Sequence, residues 1–356
     1  MADPRHILSN YNIGEVREIH PAGGTAGKCW RVVSAAGCYF LRLRGPRTSS
    51  RAALEFDHGL RRHLVARGVP TAAPIVTNAN DTWVLEEGRA FELYPFVGGH
   101  AFKGSRSELT DTAHALARFH TAAADYPARG SYNPIPTQFA IAAPDIGGSD
   151  RFDDPGLMVA ALGQFARAEP GFEYAVEQAG ALAGSYGAAL YDRLRRWLIH
   201  GDYHPGNLLY SMSGRVAGIF DLDWACEHTR SRDLADGIYY FATPREAFDN
   251  TSIESMTEAT ELNFDSAVLF VKTYAEHAPL DPDEVRAIPL ALRARWLAER
   301  LEGSAKVPPE RRAWFITRDL ERPLQWLDAH GDEFVRAVLR SSSSRRFTVG
   351  TVRHSR

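Results

Sequence analysis

Residues 198–224 read LIHGDYHPGNLLYSMSGRVAGIFDLDW. An apolar lead-in runs into His200-Gly201-Asp202, Pro205-Gly206 makes a tight turn, and Asn207 opens a short strand over 208–211. Ser213-Gly214 then turns the chain into a second strand, 215–220, which ends on Asp221-Leu222-Asp223. A hairpin brings its outer ends together, so Asp202 and Asn207 are expected to face Asp221. Phosphoryl transfer needs that set of oxygens: a carboxylate to take the proton of an attacking hydroxyl, and hard ligands to hold Mg²⁺ against phosphates. Asp202 suits the base. Asn207 and Asp221 suit the metal, Asn207 because an amide binds a cation without adding charge beside a triphosphate. Asp223 reads either as an additional metal ligand or as a supporting group behind Asp221. Two plainer readings compete: a surface hairpin rich in turn-forming residues, and a zinc site from His200, Asp202 and His204. The Pro205-Gly206 turn breaks the strand that would align those three ligands, and no fourth is evident. Against the plain hairpin stands the number of positions that must agree, from His200 through Asn207 to an Asp 14 residues later.

Upstream, the first hundred residues read as strands with one helix. Segments 12–20, 29–35, 38–44, 82–86 and 90–97 are short, β-branched or aromatic, and bounded by glycines. Glu87-Gly88 supplies the last turn. Residues 50–67 place Ala53, Phe56, Leu60 and Leu64 at helical spacing with Gly68 as C-cap. Downstream, helices are expected at 106–125 (opened by Ser107), 173–197, 264–277, 282–302, 309–328 with a break at Pro323, and 331–340. The final residues carry Arg340, Arg345, Arg346, Arg353 and Arg356 and no acid, and read as a basic mobile tail over 341–356.

Composition narrows the class further. The chain has 356 residues, 44% hydrophobic and 24% charged, with a net charge of −3. That is globular and long enough for two domains. It does not suit a dedicated nucleic-acid or membrane-surface binder. Three cysteines make no disulfide framework. MADPRHILSNY lacks the apolar core of a signal peptide, and no run of 18 apolar residues exists, so a soluble cytoplasmic protein is expected. Only four of the 41 basic residues are lysines.

With these residues in view, the chain resembles the aminoglycoside phosphotransferase family, the kinase-like small-molecule phosphotransferases. HGDYHPGN over 200–207 matches that family's catalytic loop, and GIFDLD over 218–223 its metal-binding strand end. Arg232-Asp233-Leu234-Ala235-Asp236 resembles a downstream structural element, and Leu116-Ala117-Arg118-Phe119-His120 a helix whose His is a core residue. The resemblance implies an α+β, bilobal, protein-kinase-like fold: a small antiparallel-sheet lobe with one helix, and a larger, mainly helical lobe. It divides the chain into a nucleotide-binding lobe over 1–97, ending in a hinge, and a lobe over 98–340 with catalytic loop and acceptor pocket.

It also implies ATP and Mg²⁺ as cofactors and a small hydroxylated acceptor as partner. Gly23, Gly24 and Thr25 would cover the phosphates, with Lys28 beside them. Glu55 would stand where a helix glutamate pairs with a strand lysine, but that strand position holds Arg42. A guanidinium fork need not reproduce a Lys–Glu pair. Tyr94 and Phe96 fall at the hinge that meets the base. The Arg42 substitution and the segment RWLAERLEG over 295–303 look most similar to the homoserine kinase and N-acetylhexosamine kinase-like branch. By that analogy Arg295, Trp296 and Glu299, with Asp202 and His204, face the acceptor; an ordinary amphipathic helix explains the first three as well. Two other readings stay open: a silent nucleotide-binding scaffold and, against the absence of DFG and APE patterns, a protein kinase.

Overall fold

The computed structural model describes residues 3–22, 28–45, 48–127, 155–186, 190–243, 253–258 and 261–343. The expected glycine loop over 23–27 and all but the first three residues of the basic tail lie outside them. The described chain forms two compact units, one from Met1–Asp111, Arg118–Pro136 and Trp197–Glu227, the other from Thr112–Ala117, Thr137–Arg196 and His228–Arg356.

In the first unit a short helix, α1 (Pro4–Leu8), precedes the sheet. It went unread in the sequence because five residues show no period; Asp3 caps it and Pro4 opens it. The strands are β1 (Val16–Ala22), β2 (Cys29–Ser34) and β3 (Gly37–Leu43). Helix α2 (Arg51–Ala66) follows, capped by Ser50, and then β4 (Val84–Glu86) and β5 (Arg89–Pro95). They form a five-stranded sheet in the order β1-β2-β3-β5-β4, with every neighbouring pair antiparallel. Glu87 and Gly88 both take positive φ, 49° and 73°, the left-handed pair that a two-residue hairpin turn needs.

Strand alternation then sorts the residues by face. Leu41 and Leu43 of β3 join Val32, Phe91 and Leu93 in a core that Ile7, Leu8, Tyr11 and Ile13 complete. Arg42, between the two leucines, stands directly across from Glu92 of β5. From α2 the buried residues include not only Leu54, Leu60 and Leu64 but also Asp57, His58 and Arg61.

Helix α3 (Arg106–Ala123) is opened by Ser105 rather than Ser107: Ser105 and Glu108 form a reciprocal capping box, and Glu108 lies at the third position only from Ser105. Two helices, α4 (Pro155–Ala168) and α5 (Glu173–Tyr186), follow. The first was not anticipated, and the second stops well short of residue 197. Four short strands come next, β6 (Trp197–Ile199), β7 (Leu208–Tyr210), β8 (Val216–Ile219) and β9 (Cys226–His228), with β7 paired to β8 as a hairpin and β6 to β9.

The second unit is built on α6 (Arg230–Phe241), α7 (Phe264–His277), α8 (Pro282–Ser304), α9 (Arg312–Thr317) and α10 (Glu321–Ser343). Helix α8 is its hub, packed by α4, α5, α6, α9 and α10. The expected break at Pro323 falls earlier, at 318–320, where Asp319 takes φ 49°. Pro323 sits in the first turn of α10, where a missing N–H costs nothing. From there one helix runs on through residues 329–331. No helix among the described residues is long and apolar enough to cross a membrane.

Candidate active site

The loop between β6 and β7 is shaped by hydrogen bonds that leave few choices. The buried His200 accepts at Nδ1 from the Asp202 N–H at 3.2 Å and faces the Phe220 carbonyl with Nε2 at 2.9 Å. With Nδ1 an acceptor, Nε2 carries the proton and donates. Both ring nitrogens are thus in use, and His200 does not belong to a zinc set. Gly201 takes φ +79°, and a Cβ there would run into the Trp224 carbonyl oxygen, so the turn requires glycine. Pro205–Asn207 forms one 3₁₀ turn whose Gly206 N–H donates to His204 Nδ1 at 3.0 Å. That orientation points His204 Nε2 to Asp202, 3.4 Å from Oδ2.

Asn207 is buried and donates Nδ2 to both the Asp202 carbonyl, 2.9 Å, and Asp202 Oδ2, 3.1 Å. Its amide hydrogens are therefore spent on Asp202, and Oδ1 is the atom it can offer a cation. Across the hairpin the Phe220 N–H donates to the Asn207 carbonyl at 2.9 Å, which brings the Asp221 end against the Asp202 end. Asp221 itself takes φ 56°, an uncommon backbone for a non-glycine residue. The hairpin is held in the first unit by Pro70, whose carbonyl accepts from the Ile219 N–H at 2.7 Å, and by two main-chain bonds between His100 and Tyr210, both 2.8 Å.

A network of charges that the sequence did not reveal lies behind this hairpin. Arg42 donates Nη1 to Asp223 Oδ1 at 3.0 Å, and Nη2 to Asp223 Oδ2 at 2.8 Å and Asp221 Oδ1 at 2.9 Å. Arg44, two residues along the same face, donates Nη2 to Asp57 Oδ2 at 2.7 Å and makes a short bond to Asp223 Oδ1. Its Nη1 lies 3.2 Å from Glu92 Oε1, to which His58 Nε2 is also bonded at 2.7 Å. Arg61 completes the chain on Asp57 Oδ1 at 2.7 Å.

Burial opposes charge on all these groups, and the partners decide the outcome. Despite desolvation, Arg42 and Arg44 hold the Asp223 carboxyl far below the usual range. Loss of water pushes Asp221 up to about 6; Arg42 works against that rise, and Asp223 and Asp202 add to it. Asp57, His58 and Glu92 bring possible ligand atoms within 4.8 Å of one another, the arrangement of a metal site. Their carboxylates already neutralise Arg44 and Arg61, so the group reads as an ion network.

Asp202, His204, Asn207, Asp221, Asp223 and Arg42 thus come together in one unit. Glu55 does not join them: it is exposed on α2 and pairs with Arg51 at 2.7 Å, while Asp57 and Glu92 supply the buried carboxylates. Lys28 is exposed just ahead of β2, and Gly23, Gly24 and Thr25 lie outside the described residues. Tyr94 is buried with its hydroxyl 3.4 Å from His58 Nε2. Phe96 is 40% exposed, and its N–H donates to the Cys38 carbonyl.

In the second unit Arg295 donates Nε to Asp236 Oδ1 at 2.6 Å and Nη2 to Glu299 Oε1 at 2.5 Å, and Tyr240 donates to the same Glu299 oxygen at 2.8 Å. Trp296 is in the core, its indole N–H on the Leu320 carbonyl at 3.3 Å. The missed residues Arg44 and Glu92 did carry a signal, since each is a charge set in a strand of apolar residues.

A five-stranded sheet with its helix and the oxygen-lined hairpin in one unit, and a mainly helical second unit, are the parts of a kinase-like phosphotransferase. The APH family model, described as the phosphotransferase enzyme family, matches residues 18–262, and the chain belongs to that family. It is an enzyme of the small-molecule phosphotransferase kind, as the resemblance implied. A homoserine kinase of Methylobacterium nodulans is 27% identical over 317 residues, spanning 85% of this chain and 86% of that protein. One of Methylocella silvestris is 28% identical, over 86% and 87%. Among solved structures, an aminoglycoside phosphotransferase from Alicyclobacillus acidocaldarius shares the fold with a TM-score of 0.65 at 17% identity, covering 94% of this chain and 97% of that one.

Proposed function

We propose that the protein is an ATP- and Mg²⁺-dependent kinase that phosphorylates a hydroxyl of a small, amine-bearing acceptor: a hydroxy amino acid, an amino sugar or an aminoglycoside-type molecule. The observation that carries this reading is the Asp202–Asn207 pair, hydrogen-bonded and set against the Asp221 end of one hairpin. A carboxylate whose Oδ2 is both held by the Asn207 amide and faced by His204 is fixed in orientation, as a base that takes one proton must be. Asp202 takes that proton as the acceptor oxygen bonds to the γ-phosphorus and the bond to the β–γ bridging oxygen breaks, releasing ADP.

The donor set fits a hard cation: an amide oxygen at Asn207 and a carboxylate at Asp221. Mg²⁺ held there would neutralise phosphate charge. Arg42 suits phosphate oxygens, being a planar fork on the same face. Arg295, Trp296 and Glu299, which the resemblance puts at the acceptor, are buried, and Arg295 is bonded to Asp236 and Glu299, so the amine-bearing acceptor rests on the relatives rather than on these side chains. The relatives named homoserine kinases give the hydroxy amino acid the first place in the list. The test is Mg²⁺-dependent ADP release across homoserine and other amino alcohols, hexosamines, aminoglycosides and choline. Acceptor-dependent release, lost in Asp202→Asn, supports the reading. ATP binding without release for any acceptor would favour a silent scaffold.

A further inference from the structure

The pairing of Arg42 is lopsided. Asp223 is held twice, by Arg42 and by Arg44, and Glu92 is held by Arg44 and His58. For Asp221, Arg42 is the one cation among the described residues at hydrogen-bonding distance, through Nη2 at 2.9 Å. Arg42 can therefore swing away without stranding Asp223 or Glu92, and only Asp221 loses its counter-charge. Yet Asp221 is the carboxylate that the metal needs. A guanidinium and a divalent cation on one carboxylate repel each other, unless anionic oxygens come between them or draw the guanidinium off.

We propose, resting on the kinase reading above, that Arg42 is the resident counter-cation of Asp221 and sets the order of ligand binding. The divalent ion gains Asp221 together with the nucleotide, whose phosphates take over the Arg42 fork, and binds poorly alone. A lysine at this position could not do the same. Its single ammonium nitrogen cannot reproduce the two-nitrogen fork with which Arg42 holds both oxygens of Asp223 and one of Asp221.

The consequence is a coupling between metal and nucleotide that passes through one side chain, and it must be reciprocal. Mn²⁺ is the probe, titrated into the full chain with and without a non-hydrolysable ATP analogue. Wild type should bind Mn²⁺ weakly alone and markedly tighter with the analogue. Arg42→Gln should bind Mn²⁺ alone about tenfold tighter than wild type, roughly 1.4 kcal/mol. Its analogue should bind more weakly, and the mutual enhancement should shrink toward one. Arg42→Lys keeps the charge and should shift Mn²⁺ binding in the same direction by less, which covers the case in which the glutamine variant does not fold. Asp221→Asn should abolish the tight Mn²⁺ site in either background. Unchanged or weaker Mn²⁺ binding by both Arg42 variants overturns the inference while leaving the kinase reading intact. A wild type that binds neither Mn²⁺ nor the analogue would overturn that reading itself.

Discussion

At the scale of single residues, Asp202 and Gly201 separate chemistry from shape. Asp202 is tied to Asn207 by two bonds, so Asp202→Asn keeps the size of the side chain while removing its capacity to take a proton. Turnover should fall by about 10²–10⁴, with nucleotide affinity and melting temperature close to wild type; steady-state kinetics beside equilibrium nucleotide binding read this directly. Turnover retained at the wild-type rate would remove Asp202 from the chemistry. Gly201→Ala acts on the backbone instead. A methyl at φ +79° meets the Trp224 carbonyl oxygen, so the variant should lose about 1–3 kcal/mol of stability in denaturant titration. Asp202 and its amide partner were legible in the sequence, because a loop that must place a carboxylate and an amide within eight positions has little freedom in composition; the left-handed turn at Gly201 was not, since the sequence put the tight turn at Pro205-Gly206. The pairing of Arg44, Asp57 and Glu92 was not legible either, although two of them stand out as charges among apolar residues. What joins them is the placement of α2 against β5 and the end of β3, where Asp57 meets Arg44 and His58 meets Glu92, and the helix position of Asp57 alone does not record it.

At the scale of elements, legibility followed length and punctuation. The five strands, α2, α7 and the β7–β8 hairpin emerged from alternation, helical period and glycine turns, and the structure keeps them near their expected ends except for β1, which starts at Val16 rather than 12. Errors gathered where a terminus depends on side-chain geometry. Ser105 and Ser107 are equally plausible caps by composition, and only the reciprocal bond with Glu108 distinguishes them. Ser105→Ala should therefore cost about 1 kcal/mol and Ser107→Ala a few tenths at most, measured as a pair of unfolding free energies; equal losses would contradict the capping box. Pro323 misled for a related reason: a proline stops a helix from within but starts one equally well, and the chain reversal at Asp319 had no glycine to announce it. Helix α4 lay beyond reach because its apolar residues, Met158, Ala161 and Leu162 among them, pack against other helices, a dependence no local pattern records.

At the scale of the whole molecule, the distinctive property is how much charge is taken out of water in each unit, and by arginine rather than lysine. Such groups bring little net stability, but removing one partner strands the other, which makes them determinants of a unique arrangement. The second unit offers the cleanest test, because Asp236 is buried and, among the described residues, has one oxygen bonded, to Arg295. Burial pushes its carboxyl up to about 7, with Arg295 and then Arg232 pulling down, and Asp233 and Glu299 pushing up. An unfolded Asp loses its proton near 3.8, so between that pH and about 7 the folded protein holds the extra proton. Stability from this group is thus complete below pH 4 and lost as pH rises through 7. Asp236→Asn cannot titrate. The difference in Tm between wild type and this variant should therefore move against wild type by several degrees from pH 5 to pH 8. Two melting curves that stay parallel across that range would mean instead that Arg295 keeps Asp236 ionised in the fold throughout.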